Sequence, residues 1–202
     1  MKNYYDKFPL SGKLTRLRRL RLKQNLPRKW ELVSIIKSDF FAKNTLWVAR
    51  NLLGKYLCRR LKSGRVIAAM ITETEAYKGF DDQASHAAKG RTKRTEVMFG
   101  EPGTIYIYLV YGMYHCLNLV CERKDYPAAV LVRGVAEASG PGRVCKYFKI
   151  DKKLNSQKLG RELWVEDRPN DVSGFKIHAS RRIGVDYAGE SKDRLWRFIL
   201  LL

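Results

Sequence analysis

Residues 66–77 read VIAAMITETEAY, and this stretch decides the fold because it predicts one long β-strand. Side chains alternate along a strand, so Glu73, Glu75 and Tyr77 share one face at intervals of roughly 7 Å. Two acids in an apolar strand are costly to bury unless they are paired or functional. Like charges at this spacing favour a raised pKa for one carboxyl group, which suits a general base. The alternative is an exposed face whose acids offset a basic surface.

The residues before this strand predict a helix and a further strand. Asn44 or Thr45 is a suitable N-cap, and Gly54 a suitable C-terminal stop, for the helix between them. Residues 56–61 then predict a strand that a turn at 62–65 joins to the long one.

The segment 102–121 has no charged residue, and its length suits a transmembrane helix. However, aliphatic residues alternate with tyrosines from Ile105 onwards, which is the period of a strand. We therefore predict two buried strands, at 104–110 and 115–121, joined by a tight turn.

The predicted turn of this hairpin has an unusual composition. Its residues 111–114 read YGMY, although turns usually favour polar residues beside their glycine. Aromatic and thioether groups at an exposed tip suit a wedge between stacked bases. Tyr106 and Tyr108 share a face of the preceding strand, where tyrosines at period two are more often core or surface residues than ligand contacts.

Further elements follow on both sides of the hairpin. Residues 78–103 have the polar, glycine-containing composition of a functional loop. Residues 128–135 predict another strand, and Gly140-Pro141-Gly142 opens a helix through Phe148. Residues 150–202 mix short strands and turns.

The charge of the chain bears on its partners. Its 40 Lys and Arg against 20 Asp and Glu give a formal net charge of +20, which favours nucleic acid over an anionic membrane. Residues 1–30 alone hold ten Lys and Arg and one acid. This arm is interpreted as a solvated tail, a DNA-gripping arm or a targeting peptide, and the sequence leaves all three open.

Cysteine and histidine spacing predicts neither a metal site nor disulfides. Cys58, Cys116, Cys121 and Cys145 form no CxxC pair, and the chain has three histidines. Free thiols in a reducing compartment are the favoured interpretation. The first 30 residues also lack the apolar core of a signal peptide.

A series of short motifs, taken in order and spacing, resembles a known family. They are Asp39-Phe40-Phe41, Glu73-Thr74-Glu75-Ala76-Tyr77, Ser85-His86, Met98-Phe99, Pro102-Gly103-Thr104, Tyr111-Gly112-Met113, Leu117-Asn118, Ser139-Gly140-Pro141-Gly142 and Arg182-Ile183-Gly184-Val185. The pattern is similar to that of the alkyladenine (3-methyladenine) DNA glycosylases of the mammalian type, and it runs from about Asp39 to Phe198.

The resemblance implies a role for nine residues. Glu75 matches the general base that activates water, and Arg133 an arginine near that water and the target phosphodiester. The pocket residues would be Tyr77 on one face of the extruded base, His86 and Tyr108 on the other, Tyr106 along the wall, and Asn118 against the exocyclic amino group of guanine. Tyr111 would enter the minor groove and fill the vacated stack, with Met113 beside it.

The predicted architecture is an α+β fold. We expect a single compact domain over residues 34–202, with a curved, mainly antiparallel sheet, peripheral helices and a protruding β-hairpin. The basic arm at 1–30 would precede it.

The predicted function is base-excision repair by a monofunctional DNA N-glycosylase. It would flip alkylated or deaminated purines (3-methyladenine, hypoxanthine or ethenoadenine) from duplex DNA and leave an abasic site. We expect an intracellular, DNA-associated monomer with no metal, no cofactor and no membrane partner. A non-catalytic damaged-DNA-binding protein and an RNA-binding module are the alternatives.

Overall fold

The computed structural model describes residues 33–169 and 175–201, so the basic arm at 1–30 lies outside the described residues. Within them the α-helices are α1 (Ser38–Phe41), α2 (Thr45–Leu52) and α3 (Pro141–Phe148). The strands are β1 (Ser34–Ile35), β2 (Tyr56–Arg60), β3 (Val66–Lys78), β4 (Ile105–Val110), β5 (Tyr114–Val120), β6 (Ala128–Val135), β7 (Ala138–Ser139), β8 (Leu163–Asp167), β9 (Lys176–Ser180) and β10 (Arg197–Leu201). No helix in these ranges has the length and apolar character of a membrane span.

The ten described strands form one sheet in which every recorded pairing is antiparallel. Its main path runs β1-β8-β2-β3-β6-β5-β4, while β10 pairs with β3 and β9, and β7 with β6. The 13-residue strand β3 lies at the centre, because it pairs with β2 along its first half and with β6 and β10 along its second. The α+β fold with a mainly antiparallel sheet is confirmed.

Two helices cover one face of the sheet and enclose the core. The Asn44 side chain accepts a hydrogen bond from the Leu46 amide at 3.0 Å, so the predicted N-cap of α2 is confirmed. The buried face of α2 packs on β3, where the Thr74 hydroxyl donates to the Ala49 carbonyl at 2.8 Å. Helix α3 begins at Pro141, as predicted, and packs on β5 and β6. The opposite face of β3, which carries Glu73 and Glu75, is left for the site.

Two compensating bulges shape β3 and β6 beside that face. Glu73 pairs with Gly134 and Thr74 with Val132, so Arg133 is an extra residue on β6. Such bulges bend a strand and re-aim a side chain. Gly134 is needed here because a Cβ built on it would lie 2.9 Å from the Cβ of Glu73.

The hairpin of β4 and β5 carries the predicted tip, with one correction. Tyr114 was predicted to belong to the turn, but it pairs with Val110 and begins β5. Its ring also packs closely on the backbone of Gly142, which holds it in the sheet. The turn has positive φ at both central residues, 53° at Tyr111 and 70° at Gly112, as in a type I′ turn.

We expect Gly134→Ala to lower the free energy of unfolding by about 1–3 kcal/mol, the usual cost of overpacking a buried site. The added methyl group would press on Glu73 and force β3 and β6 apart. Urea unfolding measures the effect. Gly160→Ala is the control, because its Cβ would meet nothing within 4 Å, and we expect it to stay within about 0.5 kcal/mol of the wild type. Equal losses in the two variants would contradict the close approach.

Candidate functional site

A cavity of about 540 Å³ opens on the free face of the sheet. Eight of the nine predicted site residues line it: Glu75, Tyr77, His86, Tyr106, Tyr108, Tyr111, Asn118 and Arg133. Met113 does not line it; its side chain is 66% exposed at the tip of the hairpin. Residues far apart in sequence, on β3, β4, β5, β6 and the 183–187 loop, therefore share one cavity.

The carboxyl group of Glu75 is buried at the base of this cavity, with no exposed surface. Its Oε2 accepts a hydrogen bond from the Tyr77 hydroxyl at 2.8 Å, and its Oε1 accepts one from the Ile183 amide at 3.0 Å. The Nε of Arg133 lies 3.6 Å from Oε1. Burial nevertheless outweighs these favourable contacts and raises the pKa of Glu75 above its ordinary value. The carboxylate is held in place by donors but remains a better base than an exposed glutamate.

Glu73 lies beside Glu75, on the same face of β3 as the alternation predicts, but its effect differs from the one expected. Repulsion from Glu73 is the smallest of the causes that shift the pKa of Glu75, and burial is the largest. Glu73 is in contact with two arginines: its Oε1 accepts from Arg197 Nε at 2.5 Å and lies 3.0 Å from Arg133 Nε. Glu73 thus acts mainly as a counter-ion that holds Arg133 beside the cavity.

Tyr77 forms one aromatic wall, and a buried ion pair supports it from behind. The guanidinium of Arg182 lies 4.8 Å from the centre of the Tyr77 ring. Arg182 also donates to both carboxylate oxygens of Asp82, at 2.6 and 2.7 Å, and to the Ala76 carbonyl. Neither residue of this pair is predicted from the sequence to have a role, and the one signal for the pair there is the motif that begins at Arg182.

A second aromatic group in the cavity consists of His86, Tyr106 and Tyr108. Ser85 accepts a hydrogen bond from the Ala87 amide, which caps the short 3₁₀ helix His86–Lys89 and orients its first residue. The rings of His86 and Tyr108 are 4.5 Å apart at 81°. Because the two rings are almost perpendicular, one can lie flat on a planar ligand while the other presents its edge. Burial, and secondarily the charge of Arg94, lower the pKa of His86 to about 4, so this ring is neutral at pH 7.

The side chain of Asn118 also lines the cavity and is fixed there. Its amide nitrogen donates to the Tyr106 carbonyl at 3.2 Å and to the Cys116 carbonyl at 3.3 Å. The side chain is therefore held by the backbone of β4 and β5, and it presents a rigid polar group to a ligand.

Tyr111 projects from the mouth of the cavity, with 87% of its surface exposed. It also borders an adjoining groove of about 490 Å³, whose basic side chains are Arg133, Arg143 and Arg197. The left-handed backbone at Tyr111 is unfavourable for a bulky residue. An exposed aromatic group held in a strained turn beside a basic groove is an arrangement suited to contact with a partner.

Within residues 33–169 and 175–201, no group of three or more His, Cys, Asp or Glu side chains is arranged to hold a metal ion. The four cysteines are free and buried, and burial raises the pKa of Cys58 to about 12. Burial also raises the pKa of the other three thiols. Cys121 and Cys145 are small core residues, whereas Cys116 lines the cavity.

Comparison with known proteins identifies one family throughout the described domain. A family model for methylpurine-DNA glycosylases matches residues 39–139 and 135–201. A protein of Methanocella arvoryzae named "Putative 3-methyladenine DNA glycosylase" is 48% identical over 186 residues, covering 81% of this chain and 91% of its own. Proteins with the same name from Clostridium perfringens and Clostridioides difficile are 40% and 38% identical. They cover 80% and 82% of this chain, and 93% and 100% of their own.

The raised pKa of Glu75 predicts a stability difference that depends on pH. The folded state favours the protonated carboxyl, so wild type relative to Glu75→Gln should be most stable below pH 4.5, the ordinary value. This advantage should be lost as pH rises through the folded pKa, by about 1.4 kcal/mol for each pH unit between the folded and unfolded values. Urea unfolding of both proteins across this range measures it. Exposed Glu101→Gln controls for losing one carboxylate, and a pH-independent difference for Glu75→Gln would contradict the effect of burial.

Proposed function

Since this chain belongs to the methylpurine-DNA glycosylase family and is a monofunctional DNA N-glycosylase, we propose that it extrudes damaged purines from duplex DNA into the cavity beside Glu75. The proposed substrates are alkylated or deaminated purines of the 3-methyladenine, hypoxanthine and ethenoadenine class. Hydrolysis of the N-glycosidic bond leaves an abasic site for base-excision repair. The observation that carries the proposal is a buried carboxylate in a cavity lined by the aromatic side chains of Tyr77, His86, Tyr106 and Tyr108.

Glu75 is the general base in this proposal. A water above its carboxylate attacks C1′ of the extruded nucleotide, the C1′–N9 bond breaks, and the purine leaves with the bonding electrons. Glu75 takes the proton that the water loses, and its raised pKa favours that transfer. Arg133, 3.6 Å from Glu75, supplies positive charge where the water and the neighbouring phosphodiester meet. No lysine nucleophile takes part, consistent with a glycosylase that leaves the abasic strand intact.

Binding energy from the cavity offsets the cost of extrusion. A volume of about 540 Å³ is within the usual range for small-ligand sites, roughly 300–1,000 Å³. Taking a nucleotide out of the duplex costs a few kcal/mol, and stacking on an aromatic side chain contributes about 1–3 kcal/mol per base. One wall therefore only balances extrusion, whereas Tyr77 together with Tyr108 or His86 makes it favourable.

We propose that the fixed side chain of Asn118 determines which purines the cavity accepts. The Asn118 amide is fixed by two backbone carbonyls, so it cannot withdraw from a bulky substituent. A guanine would press its exocyclic amino group against this side chain, while adenine-derived lesions lack that group. Contact with Asn118 would thereby exclude normal guanine from the cavity.

The DNA partner and its mode of contact follow from charge and exposure. A net charge of +20 favours binding to phosphates, and Tyr111 is proposed to enter the minor groove and fill the gap left by the extruded base, with Met113 beside it. We propose that the protein acts as a monomer where DNA is found, in a bacterial cytoplasm or a eukaryotic nucleus. A non-catalytic damage binder would gain nothing from burying a carboxylate, which argues against that alternative.

Glu75→Gln is expected to abolish release of hypoxanthine and 3-methyladenine, by a factor of at least about 10²–10⁴ in single-turnover rate. Lesion binding should survive, because glutamine keeps an oxygen to accept from Ile183. Hot alkali after incubation with lesion-bearing duplexes reveals abasic sites, and gel shifts report binding. A variant that excises at the wild-type rate would refute Glu75 as the base.

Tyr111→Asn is expected to raise the stability of the protein and to lower its activity. Asparagine tolerates the left-handed backbone at this position, so the free energy of unfolding should rise by about 1 kcal/mol. Loss of the wedge should slow excision of a paired lesion about tenfold or more, by the size of one stacking contact, and of a mispaired lesion less. Urea unfolding and single-turnover excision from the two duplexes measure these effects. Equal slowing on both duplexes would argue against an intercalating tip.

A further inference from the structure

The hydroxyl group of Tyr106 sits inside the cavity wall in a short chain of polar contacts. The residue is 2% exposed, and its Oη lies 3.1 Å from Nδ1 of His86. The other ring nitrogen of His86, Nε2, lies 3.4 Å from an Nη2 of Arg94 at the rim of the cavity. Arg94 therefore reaches Tyr106 through the imidazole ring, and it also lies within reach of the Tyr106 hydroxyl itself.

The direction of these hydrogen bonds follows from the chemistry of arginine. A guanidinium group has N–H donors and no acceptor. Nε2 of His86 must therefore accept, which places the single proton of the neutral ring on Nδ1. A low pKa of about 4 keeps the ring neutral at pH 7. Nδ1–H then donates to the Tyr106 oxygen, and the proton of Tyr106 is left free to point elsewhere.

The other polar donors in the cavity already have partners. The Tyr77 hydroxyl donates to Glu75, and the Tyr108 hydroxyl pairs with Cys116. Both described hydrogen bonds of Asn118 Nδ2 go to backbone carbonyls. Among the buried lining groups of the described chain, the Tyr106 hydroxyl is thus the donor whose proton has no protein acceptor.

We propose that the Tyr106 hydroxyl donates a hydrogen bond to the departing purine when that purine is neutral, and that His86 and Arg94 are positioning residues that aim it. This inference rests on the proposed function. A neutral purine such as hypoxanthine takes both electrons of the C1′–N9 bond and develops negative charge, which a donor at a ring nitrogen or carbonyl oxygen stabilises. The proton that finally neutralises the purine comes from water, and Tyr106 keeps its own.

A methylated purine differs because it begins with a positive charge. It leaves as a neutral base when the same bond breaks, so no negative charge develops for Tyr106 to stabilise. The hydroxyl is therefore a selectivity group, needed for deaminated and neutral lesions and dispensable for cationic ones. Burial raises the pKa of Tyr106 and keeps it protonated for this task.

The test compares Tyr106→Phe with the wild type on duplexes that carry hypoxanthine or 3-methyladenine, under single-turnover conditions. The ratio of the hypoxanthine rate to the methylpurine rate should fall about 10- to 100-fold, the effect of one hydrogen bond to a developing charge. Tyr147→Phe, outside the cavity, is the matched control and should leave the ratio unchanged. Thermal melting of each variant verifies that the fold is retained.

A second measurement addresses the hydrogen-bond direction without activity. ¹⁵N NMR of the imidazole nitrogens should find His86 as the Nδ1–H tautomer in the wild type and a mixture in Arg94→Met. With three histidines in the chain, a His86→Gln spectrum assigns the signal. Arg94→Met should also lower the excision ratio, but by less than Tyr106→Phe.

Two results would overturn the inference. Equal slowing of both substrates in Tyr106→Phe would reduce the hydroxyl to a shape role, and an Nε2–H tautomer in the wild type would mean that Tyr106 donates to His86 instead. If the wild type released neither base, the proposed function would fail, while the tautomer measurement would still decide the direction of the hydrogen bond.

Discussion

The burial of one carboxylate governs the rest of this structure. An ionised carboxylate removed from water without partners is too costly for a small domain to tolerate. Here part of the cost is offset by a hydroxyl from Tyr77 on the same strand, an amide from Ile183 and the charge of Arg133. These partners come from distant parts of the chain, so the sheet must be complete before Glu75 is stabilised.

Glu73 affects the charge around Glu75, because the two carboxylates share Arg133. The charge of Arg133 lowers the pKa of Glu75, but by less than burial raises it. Glu73 lies closer to Arg133 than Glu75 does, at 3.0 Å against 3.6 Å, and it also pairs with Arg197. The paired bulges and Gly134 make this possible, because they let β6 approach Glu73 more closely than a residue with a side chain would allow. The bulges in β3 and β6 thus help to set the charges around Glu75.

The same site shows where function overrides local preference. A tyrosine takes a left-handed backbone at Tyr111, and aromatic rings line a cavity instead of filling it. Both features cost stability, and both lie where an extruded base and its empty stack would be. Regular elements elsewhere follow their propensities, as natural sequences usually do away from functional sites. The locally unfavourable features are therefore found at the cavity and at its mouth.

The sequence by itself determined the strands, the capped helix at Asn44, the hairpin and the shared face of Glu73 and Glu75, since local periodicity and turn chemistry encode these features. A family resemblance added the candidate pocket residues. Only the tertiary structure decided that Tyr114 belongs to a strand, that Glu73 serves as a counter-ion, and that Arg94, His86 and Tyr106 form one chain of contacts. Periodicity states which way a side chain faces, but the identity of its partner depends on strand order and register, which residues far apart in sequence settle together.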